Sequence, residues 1–378
     1  MPENVLITGG AGFIGSALAR RLVAAGHHVT VLDSLLAQVH GDDPATTSPL
    51  LQSLNGVAEV QVGTVTSTDD LRRALTGATI VVHLAAETGT GQSMYEIDRY
   101  VEANVGGTAK LLNLLTNEPH SVRRVIVASS RSIYGEGAYR TASGEVVFPP
   151  HRSAEDMATG DFDVHMPGEG VLTMIPTPET ALLHPSSVYG ITKQSQEALI
   201  LTTAPAIGVE AVSLRYQNVY GPGQSLKNPY TGILSIFSTL IRQGKAINIF
   251  EDGQESRDFV FIDDVVEATY LACVTPGASG SVMNIGSGVP TTVTEVVDAL
   301  FRAFGTTVPV TVSGNFRVGD IRHNIADMTR SHDVLGFTSR VGFDEGIKRF
   351  VAWVRSEPLE EDGYERSLEE MAVRNLLK

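Results

Sequence analysis

Residues 8–15 of this chain read TGGAGFIG, and they decide how the fold begins. They follow an apolar segment at 5–7, and from 14 to 25 apolar residues recur at the spacing of one helix face. A glycine loop between a strand and a helix predicts a phosphate-binding turn, because the free backbone N–H groups and the dipole at a helix N-terminus favour an anion. The loop therefore predicts the first unit of a dinucleotide-binding α/β fold.

Strands and helices continue to alternate after the glycine loop. Apolar strand-like segments lie at 28–32, 57–62, 79–84 and 124–128, and helical patterns lie at 68–75 and about 95–116. This alternation is typical of a parallel sheet with crossover helices. We therefore predict an α/β protein with a Rossmann-type doubly wound parallel sheet over 1–220 and a smaller α+β substrate-binding domain over 221–355.

Three segments stand apart from this plan. Residues 136–184, which we name the insert, are rich in Gly, Pro, Asp and Glu with weak periodicity, and we expect them to fold over the substrate pocket near the active site. Residues 256–275 are expected to return to the first domain. The charged segment 356–378 is predicted to form a peripheral C-terminal helix.

Charge and cysteine content narrow the function. With 28 basic and 43 acidic residues, the formal net charge of −15 argues against nucleic acid or an anionic membrane surface as a partner. The single cysteine, Cys273, excludes a disulfide framework within the chain and a cysteine-based zinc site, and no metal site is predicted. No apolar run is long enough to span a membrane and no basic signal-peptide region precedes the first strand, so we expect a cytoplasmic protein.

An acidic residue at the end of the second strand indicates which dinucleotide would bind. Asp33 lies about 20 residues beyond the glycine loop, where a carboxylate accepts hydrogen bonds from ribose hydroxyls and repels a 2′-phosphate. No arginine follows it closely. The pattern therefore favours NAD over NADP.

A tyrosine and a lysine four residues apart suggest the chemistry. Tyr189 and Lys193 would share one helix face, and the ammonium group would lower the pKa of the phenol so that it takes a proton from a substrate hydroxyl. Ser130, after the fifth strand, would bind the same substrate oxygen. The alternative, two surface residues on a helix, is disfavoured once the pair is combined with the glycine loop and the serine.

Together these motifs resemble the extended short-chain dehydrogenase/reductases, in particular the NAD-dependent nucleotide-sugar epimerase/dehydratase family. Further matching segments, in family order over roughly 1–350, are HLAA at 83–86, NVGGT at 104–108, NVYGPG at 218–223, NPYTG at 228–232, RDFV at 257–260 and RVGD at 317–320. Within the family the chain is most similar to 4-epimerases of UDP- or dTDP-linked hexoses.

The resemblance implies a role for individual residues. Ser130, Tyr189 and Lys193 would be catalytic. The cofactor would be bound by Tyr189 and Lys193 together with Gly9, Gly12, Phe13, Ile14, Gly15, Asp33, Ser34, Thr64, Val65, Leu84, Ala85, Ala86, Asn104 and Tyr216. The sugar nucleotide would be bound by Thr88, Arg131, Asn218, Gln224, Phe250, Arg257, Arg317 and Asp320, with Asn218, Arg257 and Arg317 on the diphosphate, Asp320 on the ribose and Phe250 on the base.

The resemblance also implies the reaction. An isomerase of carbohydrate biosynthesis would invert C4 of a UDP- or dTDP-linked hexose through a transient 4-keto sugar, with NAD tightly bound and the protein a homodimer through the helices at about 95–116 and 187–203. Arg131 and Ser132 replace the Asp-Glu pair of the dehydratases, and Ser132 replaces the Glu of the decarboxylases. A reductase, dehydrogenase or decarboxylase of the same family stays an alternative, as does a non-catalytic NAD(P)-sensing protein.

Overall fold

A parallel seven-stranded sheet organises the first part of the chain. The computed structural model describes residues 2–226, 232–359, 364–374 and 376–378. The strands of the sheet are β1 (Asn4–Thr8), β2 (His28–Asp33), β3 (Glu59–Val62), β4 (Ile80–His83), β5 (Arg124–Ser130), β6 (Glu210–Tyr216) and β7 (Val282–Ile285). Their order is β7-β6-β5-β4-β1-β2-β3, which confirms the predicted Rossmann-type α/β fold.

Helices cover both faces of this sheet. The longer ones are α1 (Phe13–Ala24), α2 (Thr68–Ala74), α3 (Gly107–Asn117), α4 (Val188–Ala206), α5 (Ile233–Gln243), α6 (Ile262–Val274), α7 (Val293–Phe304), α8 (Thr329–Leu335), α9 (Phe343–Ser356) and α10 (Tyr364–Val373). Helices α1 and α6 bury apolar residues on one face, and α2, α3 and α4 on the other. Every residue of β4 and β5 is buried, as a parallel sheet covered on both faces requires.

Some predicted boundaries differ from the structure. The long helix expected at about 95–116 is divided into a short helix (Ile97–Tyr100), a π-helix (Val101–Gly106) and α3. Short helical segments also occupy Ala37–His40, Pro44–Thr47, Pro49–Gln52 and Thr90–Ser93. Strand β5 extends two residues past its predicted end at 128, and this extension places Ser130 on the last residue of the strand.

The boundary between the two predicted domains needs a correction at β7. Residues 282–285 were assigned by sequence to the second domain, yet β7 pairs with β6 in the main sheet. Only part of 256–275 returns to the first domain: α6 packs against α1, with Arg21 Nε 2.8 Å from Glu267 Oε2. The strand Ser256–Phe261 stays in the second sheet.

The second part of the chain is built on smaller sheets. The strands Asn218–Tyr220, Ser256–Phe261, Pro290–Thr292 and His323–Asn324 form one sheet, and Ile247–Ile249 pairs with Val310–Val312. The insert forms its own sheet from Tyr139–Arg140, Val146–Val147 and Thr173–Met174, with a short helix at Ala154–Ala158. The segment 228–231, which carries part of the family resemblance, lies outside the described residues.

Within the described part of the chain, no helix has both the length and the apolar character needed to cross a membrane.

Candidate active site

Two adjoining cavities open at the carboxyl ends of the sheet strands. The glycine-loop cavity has a volume of about 830 Å³ and is lined by the loop after β1 and the ends of β2, β4, β5 and β6. The interdomain cavity, of about 360 Å³, lies between the first part of the chain and the second. The residues that line both are Gly89, Arg131, Tyr189, Asn218 and Gly232.

The glycine loop leaves the N-terminus of α1 open towards its cavity. Gly9 has a φ of 68°, and a Cβ there would lie 2.8 Å from the Ala85 backbone nitrogen. A Cβ on Gly15 would lie 2.5 Å from the Gly9 carbonyl oxygen, so neither position tolerates a side chain. Helix α1 begins after Gly12 with no side-chain cap and no acidic residue in its first turn. Its free N–H groups therefore remain available to a phosphate.

Asp33 is held at the end of β2 by backbone donors. The Ala11 N–H donates to Oδ2 at 3.0 Å and the Leu35 N–H donates to Oδ1 at 2.9 Å, and the carboxylate lines the glycine-loop cavity. His40 lies 3.7 Å from Oδ1 and lines the same cavity, although sequence reasoning missed it. Burial lowers the pKa of His40, so the imidazole next to Asp33 is uncharged at neutral pH.

The predicted cofactor residues fit a dinucleotide with one exception. Those that line the glycine-loop cavity are Gly9, Gly12, Phe13, Ile14, Gly15, Asp33, Ser34, Thr64, Val65, Leu84, Ala85, Ala86, Tyr189, Lys193 and Tyr216. Asn104 does not line it. Its amide group is used internally, because Oδ1 accepts the Glu87 N–H at 2.7 Å and Nδ2 donates to Thr192 Oγ1 at 2.9 Å. Asn104 thus supports the loop after β4 from behind.

Ser130 and Tyr189 meet where the two cavities join. The Ser132 hydroxyl donates to Ser130 Oγ at 2.9 Å, and Ser130 lies close enough to Tyr189 to lower the pKa of its phenol. The Tyr189 N–H donates to Ser93 Oγ at 3.0 Å, which fixes the first turn of α4. Burial raises the pKa of Tyr189, whereas the Ser130 hydrogen bond and the charge of Arg131 lower it.

Lys193 is buried, and its hydrogen-bond partner in this structure is Gln196. Its Nζ donates to Gln196 Oε1 at 2.9 Å, and Gln196 Nε2 donates to Thr108 Oγ1 at 2.9 Å. Burial lowers the pKa of Lys193 to about 7. The charge of Arg131 lowers the pKa of Tyr189 in this structure, and the expectation that Lys193 also does so stays a prediction.

Arginines line the interdomain cavity. Arg257 Nη2 lies 2.9 Å from Asp320 Oδ1, and the Arg317 guanidinium lies over the Phe250 ring at 4.9 Å from its centre. Arg131 has neither an ion-pair nor a hydrogen-bond partner in the described part of the chain. Burial and the charge of Arg257 lower the pKa of Arg131 to about 10, so it stays protonated at neutral pH. The lining also contains the carboxyl groups of Glu251, Glu255 and Asp320, so the arginines supply local cationic groups that can hold a diphosphate rather than a uniformly positive surface.

Six of the eight predicted substrate residues line this cavity: Arg131, Asn218, Phe250, Arg257, Arg317 and Asp320. Thr88 and Gln224 do not, and both line the glycine-loop cavity instead. Thr88 directly precedes Gly89, where the two cavities join. Gln224 belongs to the turn in which a Cβ on Gly223 would lie 3.6 Å from the Phe13 ring, so this turn faces the glycine loop.

The insert lies behind the wall of the interdomain cavity, and its expected role over the substrate pocket stays a prediction. None of the residues from 136 to 184, all of which the structure describes, lines either cavity. The insert instead supports the cavity wall from outside through Arg152, whose two Nη atoms donate to the Glu251 carboxylate at 2.7 and 2.8 Å. Arg152 also donates to the Asp320 carbonyl at 3.1 Å. Glu251 has a φ of 50°, which is unfavourable for a residue other than glycine. The buried ion pair with Arg152 holds Glu251 in this conformation.

Sequence reasoning missed three side chains in the interdomain cavity. Glu255 lines the wall two residues before Arg257, its Oε2 has no hydrogen-bond partner, and burial raises its pKa to about 7. Glu255 directly precedes the strand Ser256–Phe261, so its closeness in sequence to the Arg257 motif was the signal that could have found it. Met371 and Leu376 also line the cavity. The helix predicted in the C-terminal segment is formed as α10, and the described part of this segment contributes to the cavity wall.

Comparison with known proteins agrees with this geometry. The model of the NAD dependent epimerase/dehydratase family matches residues 5–154 and 165–286. The chain belongs to this family. It is 37% identical over 358 residues to the dTDP-L-rhamnose 4-epimerase of Burkholderia thailandensis, an alignment that covers 94% of this chain and 96% of the relative.

Solved structures give the same result. The UDP-glucose 4-epimerase of Thermotoga maritima with UDP-glucose has a TM-score of 0.74 and 30% identity, covering 93% of this chain and 98% of that one. The UDP-glucuronic acid 4-epimerase of Bacillus cereus, in complex with UDP-glucuronic acid and NAD, has a TM-score of 0.76 and 25% identity, covering 93% and 99%. The prediction of an NAD-dependent nucleotide-sugar 4-epimerase, an isomerase, is confirmed at this level.

Proposed function

We propose that this epimerase inverts C4 of a UDP- or dTDP-linked hexose and retains NAD between turnovers. The observation that carries the proposal is the position of Tyr189 at the junction of the two cavities, with Ser130 close to it at the end of β5 in the glycine-loop cavity. A sugar bound in the interdomain cavity would present its C4 hydroxyl to Tyr189, with the nicotinamide end of the cofactor on the other side. Bound NAD supplies a hydride acceptor that later returns the hydride.

The side chains of this site provide the proton transfers. Tyr189 would take the proton of the C4 hydroxyl while Ser130 holds the oxygen atom. The same phenol would return a proton after the keto sugar has rotated in the cavity to present its other face. Arg131 favours the phenolate because its charge lies close to Tyr189. Lys193 would bind the ribose next to the nicotinamide from its buried position beside Gln196.

The diphosphate of the sugar nucleotide would lie against Arg257 and Arg317. Asp320, which pairs with Arg257, would exchange this contact for one to the ribose hydroxyls, and the face of Phe250 would meet the base. An arginine that binds a phosphate through charge-assisted hydrogen bonds typically stabilises a complex by about 1.5–3 kcal/mol. This site is local and is compatible with an acidic surface elsewhere.

Ser132 favours epimerisation over the other reactions of the family. Its hydroxyl donates to Ser130 Oγ, so the position that would carry a glutamate in a dehydratase or decarboxylase is a neutral donor here. Arg131 likewise cannot act as the general base of a dehydration at neutral pH, because it stays protonated and has no site to accept a proton. Neither residue supplies a carboxylate for water elimination.

The protein is further proposed to be a homodimer through the helices at about 95–116 and 187–203. Ile97, Val101 and Ile191 support this, because each is 44–52% exposed although its side chain is apolar. Sedimentation of wild type and of the Ile97→Asp, Ile191→Asp double variant tests it: a wild-type monomer would contradict the proposal. The cytoplasmic location stays a prediction.

The function is tested by incubating the purified protein, without added NAD, with UDP-, dTDP- and GDP-linked hexoses. Inversion at C4 in the NMR spectrum of a UDP- or dTDP-sugar is the expected result. Loss of water or carbon dioxide, or a requirement for added cofactor in stoichiometric amounts, would contradict it.

A further inference from the structure

The C-terminal strap, which we define as residues 364–374 and 376–378, pairs with the second part of the chain at the cavity wall. The Phe316 N–H donates to the Lys378 carbonyl at 2.8 Å, and the Lys378 N–H donates back at 3.0 Å. The Val318 N–H donates to the Leu376 carbonyl at 3.0 Å. These bonds attach the strap to the backbone on either side of Arg317, one of the cavity arginines.

The other end of the strap is attached to the first part of the chain. The Tyr95 hydroxyl donates to Glu370 Oε2 at 3.1 Å, and the Arg374 guanidinium lies 4.2 Å from the centre of the Tyr95 ring. Met371 is 5% exposed, and its sulfur lies 3.4 Å from the point where a Cβ on Gly91 would be. Gly91 belongs to the short helix whose Ser93 fixes the backbone of Tyr189.

The strap therefore crosses the cavity from the catalytic side to the arginine side. Met371 and Leu376 line it between these two attachments, and Met94 lines it next to Gly91. Residues 364–378 lie outside the region that the family model matches, which ends at 286.

We propose that the C-terminal strap is part of the substrate site, where Met371 and Leu376 contact the hexose and keep the 4-keto sugar bound between the two hydride transfers. The inference rests on the proposed function. In an epimerase the diphosphate stays anchored while the oxidised hexose turns, so the hexose must be free to rotate but unable to leave. Apolar side chains without hydrogen-bonding groups meet both needs, and Met adapts its shape easily.

The electron balance of the reaction provides a specific readout. The first transfer removes a hydride from C4 and a proton from its hydroxyl, which leaves reduced nicotinamide on the enzyme and a ketone on the sugar. If the keto sugar escapes, the enzyme keeps the hydride and accumulates in the reduced state. Escape is therefore visible as reduced-nicotinamide absorbance together with a carbonyl compound in the medium.

The test uses the full-length protein with its bound cofactor. In the Met371→Ala, Leu376→Ala double variant, we expect the ratio of reduced enzyme formed to sugar epimerised to rise about tenfold, the factor expected when the burial of about two CH₂ groups is lost. Hydroxylamine in the medium should trap the released keto sugar. Met371→Leu, which keeps an apolar side chain of similar volume, should retain the wild-type ratio.

Met283→Ala serves as the matched control, because Met283 is fully buried in β7 and lines neither cavity. It should lower stability without changing the ratio. A double variant with the wild-type ratio, or one in which only KM rises, would overturn the proposal.

Hydrogen exchange of wild-type protein gives a second measurement that does not depend on a variant folding. Saturating UDP- or dTDP-hexose should slow exchange of the strap amides, and unchanged exchange there with protection at Arg317 would overturn the proposal. If wild type binds the sugar nucleotide and protects the strap but inverts no C4, the proposed function fails while the strap contact stands.

Discussion

The glycine-loop cavity and the interdomain cavity are assembled in different ways. The glycine-loop cavity is lined mainly by turns at the ends of strands. Its key polar group, Asp33, accepts hydrogen bonds from the backbone N–H groups of Ala11 and Leu35, which lie in the turns after β1 and β2. The second combines side chains as far apart in sequence as Arg131 and Met371. A cavity built from local turns can be recognised from short motifs, whereas one built by chain closure cannot.

The two cavities also differ in how their charges are balanced. The anion site of the glycine loop uses the N-terminus of α1 and needs no basic side chain. The interdomain cavity uses arginines, of which Arg257 is paired with Asp320 and Arg131 is not paired among the described residues. Substitutions should therefore have different effects in the two cavities. Those in the glycine-loop cavity should alter the retention of the cofactor, and those in the interdomain cavity should alter the binding of the sugar nucleotide.

The largest expected effect is at the junction, where both cavities contribute. Tyr189→Phe removes the group that exchanges the C4 proton, and we expect kcat to fall by a factor of about 10²–10⁴. The amount of NAD that copurifies should not change, because the ring remains. Turnover measured by NMR and the cofactor content of the denatured protein check both points; full turnover in the variant would disprove the mechanism.

The network behind the interdomain wall should matter for stability. Arg152→Met removes the arginine partner of the buried Glu136 and leaves Glu251 with only the longer contact to Arg322 at 3.4 Å, and we expect a loss of about 3–5 kcal/mol in the free energy of unfolding. Urea denaturation measures it. Adding Glu251→Gly should restore part of the loss, since it removes one carboxylate and relieves the φ of 50°. A double variant less stable than Arg152→Met would contradict this explanation.

Arg257→Met should affect only the sugar side. Loss of a charge-assisted contact of about 1.5–3 kcal/mol predicts that KM for the sugar nucleotide rises by a factor of about 10–100. Cofactor content should stay at the wild-type level. Arg302→Met is a suitable control, because Arg302 forms an exposed ion pair with Asp344 and lines neither cavity.

Asp33→Ala should affect only the cofactor side. The loss of the ribose contact predicts weaker retention of NAD, by a factor of about 10 for a charged hydrogen bond of about 1.5 kcal/mol. At saturating NAD the KM for the sugar should be unchanged. A changed sugar KM with normal cofactor content would show that the cavities are not independent.

The smallest expected effect is on the pH dependence. The charge of Arg131 lowers the pKa of Tyr189, so Arg131→Gln should raise it. Because Tyr189 must be deprotonated to act as a base, the rate rises with pH through this pKa, and the rising limb should move to higher pH. Arg131→Lys keeps the charge and should keep the profile. An identical profile in Arg131→Gln would leave the activation of Tyr189 to another group.

The sequence predicted the site best where a motif and its function coincide. The glycine loop, Asp33 and the serine after β5 all lie where their motifs implied, because each depends on one strand and the turn after it. Asn104 was misplaced because a motif marks a position without saying whether its side chain faces the ligand. Its amide instead bonds Glu87 and Thr192, which are distant in sequence.

The sequence was least informative about segments that lack the apolar periodicity of a helix or a strand. The insert was expected over the pocket because long polar loops often cover active sites, yet the ion pair between Arg152 and Glu251 holds it on the outer side of the wall. No short sequence motif predicts this ion pair, because Arg152 and Glu251 are 99 residues apart. The C-terminal strap was predicted to be peripheral because its charged residues suggested a solvent-exposed surface. Its buried methionine, Met371, is one residue and gives no apolar periodicity from which burial could be predicted.

By itself, the sequence determined the α/β class, the glycine loop, the preference for NAD and the residues proposed to transfer the proton. These follow from residue periodicity and from short spacings whose geometry is the same in any chain. The tertiary structure placed the charge of Arg131 close to Tyr189 and decided what supports the arginine-lined wall and which segment crosses the cavity. Those depend on contacts between residues that only the closed chain brings together, because burial and long-range ion pairing are properties of the packed molecule.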